Sequence, residues 1–557
     1  MLRGLFSFFS VLNFATRKPS HNFVITKNVR IMKLKHTIFL SSVILATLSC
    51  RHGVTPEVPV FEDDGGYEFS HEMIVLGDRL EDPYALDNMS AALQSLYPTK
   101  ARRIDLAPTD VYVRILPSSE EEYDMLDSLG VMMIDHPLDH KILKDGDYYH
   151  DPSIPEDCIT WQYAVVKSNF SFPDGIRYEK IDDCYIVDTG STPTRSDDGI
   201  DWAAVERESF RLTGNSQMIL PETRAGSAHP SGTVRIVDDE LGETGVAGVM
   251  VCVNSFVKIA TTYTDAEGAY SIDRNFNSDI RYRLVFKNQK GFGIGFNMLL
   301  VPASTSTLGK HGPEGYDVLV DATSDRKLFS RCVVNNAAWD YFSMCEEELS
   351  GIAAPPSNLR MWLFQKLSSS SSPMLQHGAV LDKVLFSKYL SVYADIIKSF
   401  LPDITLGLEG ADDYKSIYGA AMHELAHASH WAAVGNDWWN SYILYVVKSF
   451  VSTLGKVYGS GAESGAGYCE VGEMWGYYMH NSMLARRYGP QNYVYGTSWW
   501  FSPQIFMYME DRGLTAGRIF PSLTAEVNDL VTLQDALINN CPEYAGMIRQ
   551  AFERYDH

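Results

Sequence analysis

Ser416-Ile-Tyr-Gly-Ala-Ala-Met-His423-Glu424-Leu-Ala-His427-Ala-Ser-His-Trp-Ala-Ala433 is the stretch on which the reading of this chain turns. Apolar residues at Ile417, Ala421, Leu425, Ala428 and Ala432 recur at helical spacing, and Asp412 and Asp413 stand where a helix N-terminus would be capped. The spacing predicts a helix over Ser416–Ala433 with one buried face. Residues four apart leave a helix on the same side, so His423 and His427 can converge on one metal ion while Glu424 lies beside them. With 15 His in 557 residues, a chance His-Glu-x-x-His is expected only about 0.03 times.

Two imidazoles leave a third ligand to be found. Tyr468 to Tyr488 reads as a second helix, stopped by Gly489, with Arg486 and Arg487 in its last turn. It offers two candidates one turn apart, Glu470 and Glu473. Gly472 and Gly476 flank Glu473 and would let this helix approach the His423 helix closely.

These residues resemble the gluzincin-type zinc metallopeptidases, over about 75 residues from Ile404 to Tyr478. Gly472-Glu473-Met-Trp-Gly476-Tyr477-Tyr478 is similar to that family's downstream Glu, small-residue and Tyr pattern. A metzincin would place Gly at 430 and His at 433, where this chain has His430 and Ala433. No Gly-Ala-Met-Glu-Asn sequence precedes the motif, so the aminopeptidase branch is not supported. The resemblance implies one Zn²⁺ on His423, His427 and Glu473, with Glu424 as general base in peptide hydrolysis. It also implies that Ile404 to Leu408 is an edge strand aligning an extended substrate, and that a donor steadies the oxyanion. Tyr477, Tyr478, His480 and Tyr495 are the candidate donors. His430 reads as a supporting or surface residue.

Working outward, a helical pattern around Lys383 to Phe400 and a strand-like Leu359 to Phe364 complete a mainly helical C-terminal domain over 319–557. From Gly232 the texture is different. Val234 to Val237, Val249 to Val253 at period two, Ile259 to Tyr263, Tyr270 to Ile272 and Tyr282 to Phe286 are short strands at sandwich spacing. Gly232-Thr-Val, Gly248-Val-x-Val and Thr264-Asp265-x-x-Gly268-x-Tyr270-x-Ile272 resemble the carboxypeptidase regulatory-like, transthyretin-type sandwich, expected over 231–300 as a spacer or docking unit.

Residues 202–230 read as a linker holding a short amphipathic helix, Trp202 to Leu212. Residues 67–201 read as an α+β domain. Its signals are a strand at Asp110 to Leu116, a helix at Ser118 to Leu129 with a capping box, and strands at Val131 to Ile134, Trp161 to Val166 and Tyr185 to Val187. His136 and His140, in a turn-like His-Pro-Leu-Asp-His, read as loop residues. The expected fold is thus multidomain: an α+β domain, a small β-sandwich and a mainly α, zincin-like domain.

The N-terminus supplies an address. From Met32, the expected true start after residues 1–31, a basic Lys33-Leu-Lys35 precedes an apolar run from Thr37 to Leu48 that ends in Ser49-Cys50. Residues 32–49 have signal-peptide polarity and are too short to span a bilayer permanently. Their end resembles a bacterial lipobox, with Thr47 where Leu is usual, which implies acylation of Cys50 and a tether over 50–66. The expected location is the bacterial envelope, lipid-anchored at the outer membrane, facing either side.

The composition, 45% hydrophobic and 21% charged, is that of a globular protein. The formal charge of −23 becomes −30 once the seven basic residues before Cys50 are removed. Such a surface repels phosphate, so nucleic acid is excluded as a partner and the membrane is reached through lipid alone. A protein or peptide substrate is expected. Seven Cys remain beyond Cys50, none in a CxxC pair. The alternative reading is a non-catalytic lipoprotein that binds a protein or polysaccharide partner and holds a structural zinc. An intact Glu424 separates the two, because a structural site needs no base.

Overall fold

The computed structural model describes residues 50–51 and 73–555, apart from 102–103, 156–157, 188–198, 220–227, 297–302, 348–349, 366, 368, 379–401, 454–457 and 492–499. The expected signal segment 32–49, most of the helical pattern near Lys383 to Phe400, and Tyr495 lie outside the described residues. Of the expected tether, Cys50–Arg51 form a short strand paired antiparallel with Ser369–Ser370.

The chain folds into several packed units with mixed sheets and a C-terminal helical region. In the first unit the strand Asp110–Ile115 lies between Gln162–Lys167 and Tyr178–Cys184, antiparallel to both. The helix Glu120–Ser128 starts at a Ser119 N-cap, with Glu122 reaching back one residue further than the expected capping box. The Ser119 hydroxyl accepts the Glu122 N–H at 3.3 Å, and the Glu122 carboxylate accepts the Ser118 N–H at 2.7 Å. Two strand expectations shift. Val131 to Ile134 contributes a single bridge, Ile134 to Tyr163, and the third strand ends at Cys184, before Tyr185 to Val187.

The helix Trp202–Leu212, capped by Asp201, does not lie in a linker. Its apolar face needs a surface to bury it, and Val205 packs with Met89, Ala92 and Leu93 of the helix Leu86–Leu96. It therefore completes the first unit.

The sandwich has the expected strands and extends past 300. One sheet joins Ala269–Ser271, Ser231–Asp238, Gly242–Gly245 and Val318–Val320; the other joins Lys258–Tyr263, Val249–Ser255, Ile280–Asn288 and Thr305–His311. The Asp265 carboxylate accepts the N–H groups of Glu267 and Ala269, and Gly268 turns the chain at φ 81° where a Cβ would lie 2.2 Å from the Val234 carbonyl.

Val249–Ser255 is buried along its whole length. Val251, Val253, Tyr282 and Leu284 fill the sandwich core, whereas Met250, Cys252 and Arg283 point outward under the N-terminal unit. That junction is held by a buried ion pair. Lys258 Nζ lies 3.2 Å from Glu206 Oε1, which also takes the Tyr84 hydroxyl at 2.5 Å, while Asn277 donates to Oε2 at 2.8 Å. Removing one partner of such a pair costs about 3–5 kcal/mol, so the two units are held as one block.

The second sheet then runs on into the C-terminal region. Lys287 pairs with Gly293, and Phe292–Phe296, Leu359–Phe364 and Ile404–Gly407 follow as parallel strands. Helices Arg326–Glu346 and Tyr414–Thr453 pack on them. The first of these hides polar residues as well as apolar ones. Asn336 donates to the Gly245 carbonyl at 2.7 Å and accepts the Ala247 N–H at 3.0 Å, tying the helix to a sandwich turn.

Candidate metal centre

The ligand helix starts where the Asp413 carboxylate accepts the Ser416 N–H at 2.8 Å. It runs from Tyr414 to a break at Gly435, whose φ of 76° no helix accommodates. Beyond the break the chain turns back on its own ligands: Trp439 and Tyr442 lie against His427, and Trp438 against His430.

The second helix, Ala466–Tyr488, crosses it antiparallel. Gly419 meets His480, His423 meets Gly476, and His427 meets Glu473, in opposite order along the two helices. The crossing is close because Gly476 has no side chain. A Cβ there would stand 2.8 Å from His423 Cε1 and 3.0 Å from His427 Cε1. Gly472, expected to serve the same purpose, would place a Cβ in ordinary contact with Trp438 at 3.6 Å, so its smallness is not required.

This crossing brings His423, His427 and Glu473 together, all with no exposed surface. The two Nε2 atoms are 3.1 Å apart, and the Glu473 oxygens lie 3.4 Å from His423 Nε2 and 3.8 Å from His427 Nε2. Ligands about 2.1 Å from a tetrahedral metal stand about 3.4 Å from one another. The three donors therefore fit around one ion. Burial lowers the pKa of both imidazoles, which keeps them neutral with lone pairs available.

Glu470 is half-buried and outside this cluster. Glu424 is fully buried and its Oε2 accepts the Ser372 hydroxyl at 2.8 Å. The Ser372 carbonyl in turn accepts the Trp439 indole N–H at 2.9 Å. Tyr442 donates to Glu473 Oε1 at 2.5 Å and so aims the carboxylate.

The sequence does not single out Ser372, Trp439 or Tyr442. Gly435 inside an apolar pattern was the available signal for the fold-back. Ser372 sits in a run of serines with nothing to distinguish it.

Of the expected oxyanion donors among the described residues, Tyr477 lies at the cluster, its ring edge-on to His423 with centroids 4.6 Å apart. Tyr478 is a correction. One residue further round the helix it faces the opposite side, packed with Trp475 and Phe506, where burial and Glu510 push its hydroxyl well above the usual range. His480 lies over Gly419, one turn of the ligand helix before His423. His430 is buried between Trp438 and Trp439, and burial holds it down at about 3.

The outer edge of Ile404–Gly407 is also not free. Ser371 and Thr405 exchange both backbone hydrogen bonds, at 2.8 and 2.9 Å, so the serine segment covers it. That segment replaces the substrate-aligning edge expected at Ile404 to Leu408, because the chain folds back as soon as Leu359–Phe364 ends.

No protein family, curated protein or solved structure matches this chain. The centre is accordingly argued from its own donors. None of the cysteines among the described residues joins the cluster.

Zinc titration against a chromogenic chelator tests the geometry. Glu473→Ala and Gly476→Ala are expected to weaken binding at least about tenfold while Glu470→Ala leaves it unchanged. Full affinity in Glu473→Ala with loss in Glu470→Ala would move the ligand one turn.

Proposed function

We propose that the chain is a zinc-dependent peptidase with a gluzincin-like, zincin-type C-terminal domain. The observation that carries this reading is a buried carboxylate, Glu424, set beside a buried His-His-Glu donor set. Two imidazoles and one carboxylate suit Zn²⁺, and a closed structural site has no use for a further acid at that position.

His423, His427 and Glu473 hold the ion, and Tyr442 orients Glu473. Bound zinc supplies an acidified water and Lewis-acid polarisation of the scissile carbonyl. Glu424 accepts the water's proton and passes it to the leaving amine. Ser372 keeps Glu424 Oε2 in place by its hydroxyl. Tyr477 is the proposed donor to the oxyanion, since its ring borders His423 and its hydroxyl is a donor. Protein or peptide chains are the proposed substrates, and the acidic surface disfavours polyanions.

Glu424→Gln tests the chemistry. Gln is nearly isosteric but takes no proton, so zinc content and thermal unfolding stay as in the unaltered chain while cleavage of a proteome-derived peptide library falls by several orders of magnitude. Wild-type-like turnover in that variant would refute the mechanism.

For location, the signal-like segment ending at Cys50 supports an envelope lipoprotein. No helix of the described residues is long and apolar enough to cross a membrane. Cys50→Ser is expected to release soluble protein or leave an unprocessed precursor. A processed Cys50→Ser chain that stays in the membrane fraction would count against the lipid anchor.

A further inference from the structure

The described residues enclose a cavity of about 270 Å³ away from the metal centre, between the N-terminal unit and the outer face of the sandwich. Arg283, Val285 and Lys287 alternate onto its floor from the strand Ile280–Asn288. Arg283 and Lys287 are four residue steps apart along the strand, so the cavity is roughly 13 Å long. Ile134, Asp135 and His136 cover one end, and Asp124 and Asp127 the other.

The charges differ between the ends. Arg283 is 3% exposed, donates to Asn254 Oδ1 at 2.6 Å and faces His136 Nε2 at 3.2 Å. His136 Nδ1 lies 3.0 Å from the Pro137 carbonyl, so it carries the ring proton there and offers the guanidinium only a neutral lone pair. Asp135 takes the Tyr149 N–H instead, at 2.7 Å, and burial pushes it up to about 7. Asp145 is paired with Arg281, and Asp147 with Arg331. Arg283 is therefore a buried cation whose hydrogen-bond partners are neutral.

At the far end, Asp127 neutralises Lys287. Asp124 accepts from Asn358 at 3.1 Å and lies 3.8 Å from Arg360, a cation already engaged with Glu120. That end is left with an excess of negative charge. The rest of the lining includes apolar Met250, Val285 and Phe292 together with polar Gln162, Thr305 and Thr307.

Asp135 and Asp145 act on Arg283 only through space, with no carboxylate in direct contact with the guanidinium. A buried cation so placed is costly, and a bound anion lowers that cost. We propose that this cavity binds short peptides with free termini, their α-carboxylate on Arg283 and their ammonium beside Asp124 and Asp127. An extended tripeptide, about 10 Å long, matches the span. The site shares no residue with the metal centre and stands independently of the hydrolytic reading.

Calorimetry of the full chain with tri-L-alanine, run in chelator so that the metal centre is silent, tests the proposal. Saturable one-to-one binding is expected, weakened about tenfold or more by C-terminal amidation, by N-acetylation, and by Arg283→Lys. The peptide series on the unaltered chain decides the matter even where the Arg283 variant fails to fold. No saturable binding, equal affinity for the acid and its amide, or acetate binding as tightly as the tripeptide would each overturn it.

Discussion

The C-terminal region depends on one close crossing of two helices. Two imidazoles and a carboxylate meet only because Gly476 lets the Glu473 helix rest on the rings of His423 and His427, at a separation that a single methyl group would forbid. Burying three polar side chains without compensation is unfavourable. The surrounding structure meets that cost with fitted partners. Tyr442 donates to Glu473, Trp439 and Tyr442 close over His427, and the break at Gly435 allows one helix to supply both the ligands and their cover.

The remainder of the chain acts as a mount for this crossing. The sandwich's second sheet passes through Lys287 and Gly293 into the parallel strands beneath the ligand helix, so there is no hinge of isolated linker between them. On the opposite side, Lys258, Glu206, Tyr84 and Asn277 join the N-terminal unit to the same sheet with no exposed charge. The helix Glu120–Ser128 reaches further still, with Glu120 on Arg360 at the start of a parallel strand. Three units identified by texture in the sequence are thus one continuous body around a shared sheet.

What was legible in the sequence follows from which signals are local. The ligand helix, the Glu473 helix with its stop at Gly489, the Ser119 cap and the sandwich strands each depend on periodicity or capping within a dozen residues, and they lie where expected. Long-range partners were not legible. Trp202–Leu212 was visible as a helix, but its packing on Leu86–Leu96 was not. Met250 and Cys252, between Val249, Val251 and Val253, make Val249–Ser255 a strand covered on both faces, which the period-two reading of the valines left out. Within the site, the spacing pointed to His423, Glu424 and His427 and the gluzincin resemblance to Glu473, whereas Tyr442 and Ser372 arrive through a helix break and a serine loop. Tyr477 and Tyr478, adjacent in sequence, part company because neighbours on a helix point about 100° apart.

X-ray absorption at the zinc edge of the metal-loaded full chain tests the central claim most directly. The account predicts one zinc with two imidazole nitrogens and carboxylate or water oxygens at about 2.0–2.2 Å, and no sulfur. Cys469 is buried one turn before Glu473 on the same helix, so sulfur is a real competitor. A scatterer at about 2.3 Å, or a shell without imidazole, would contradict the assignment of the ion to His423, His427 and Glu473.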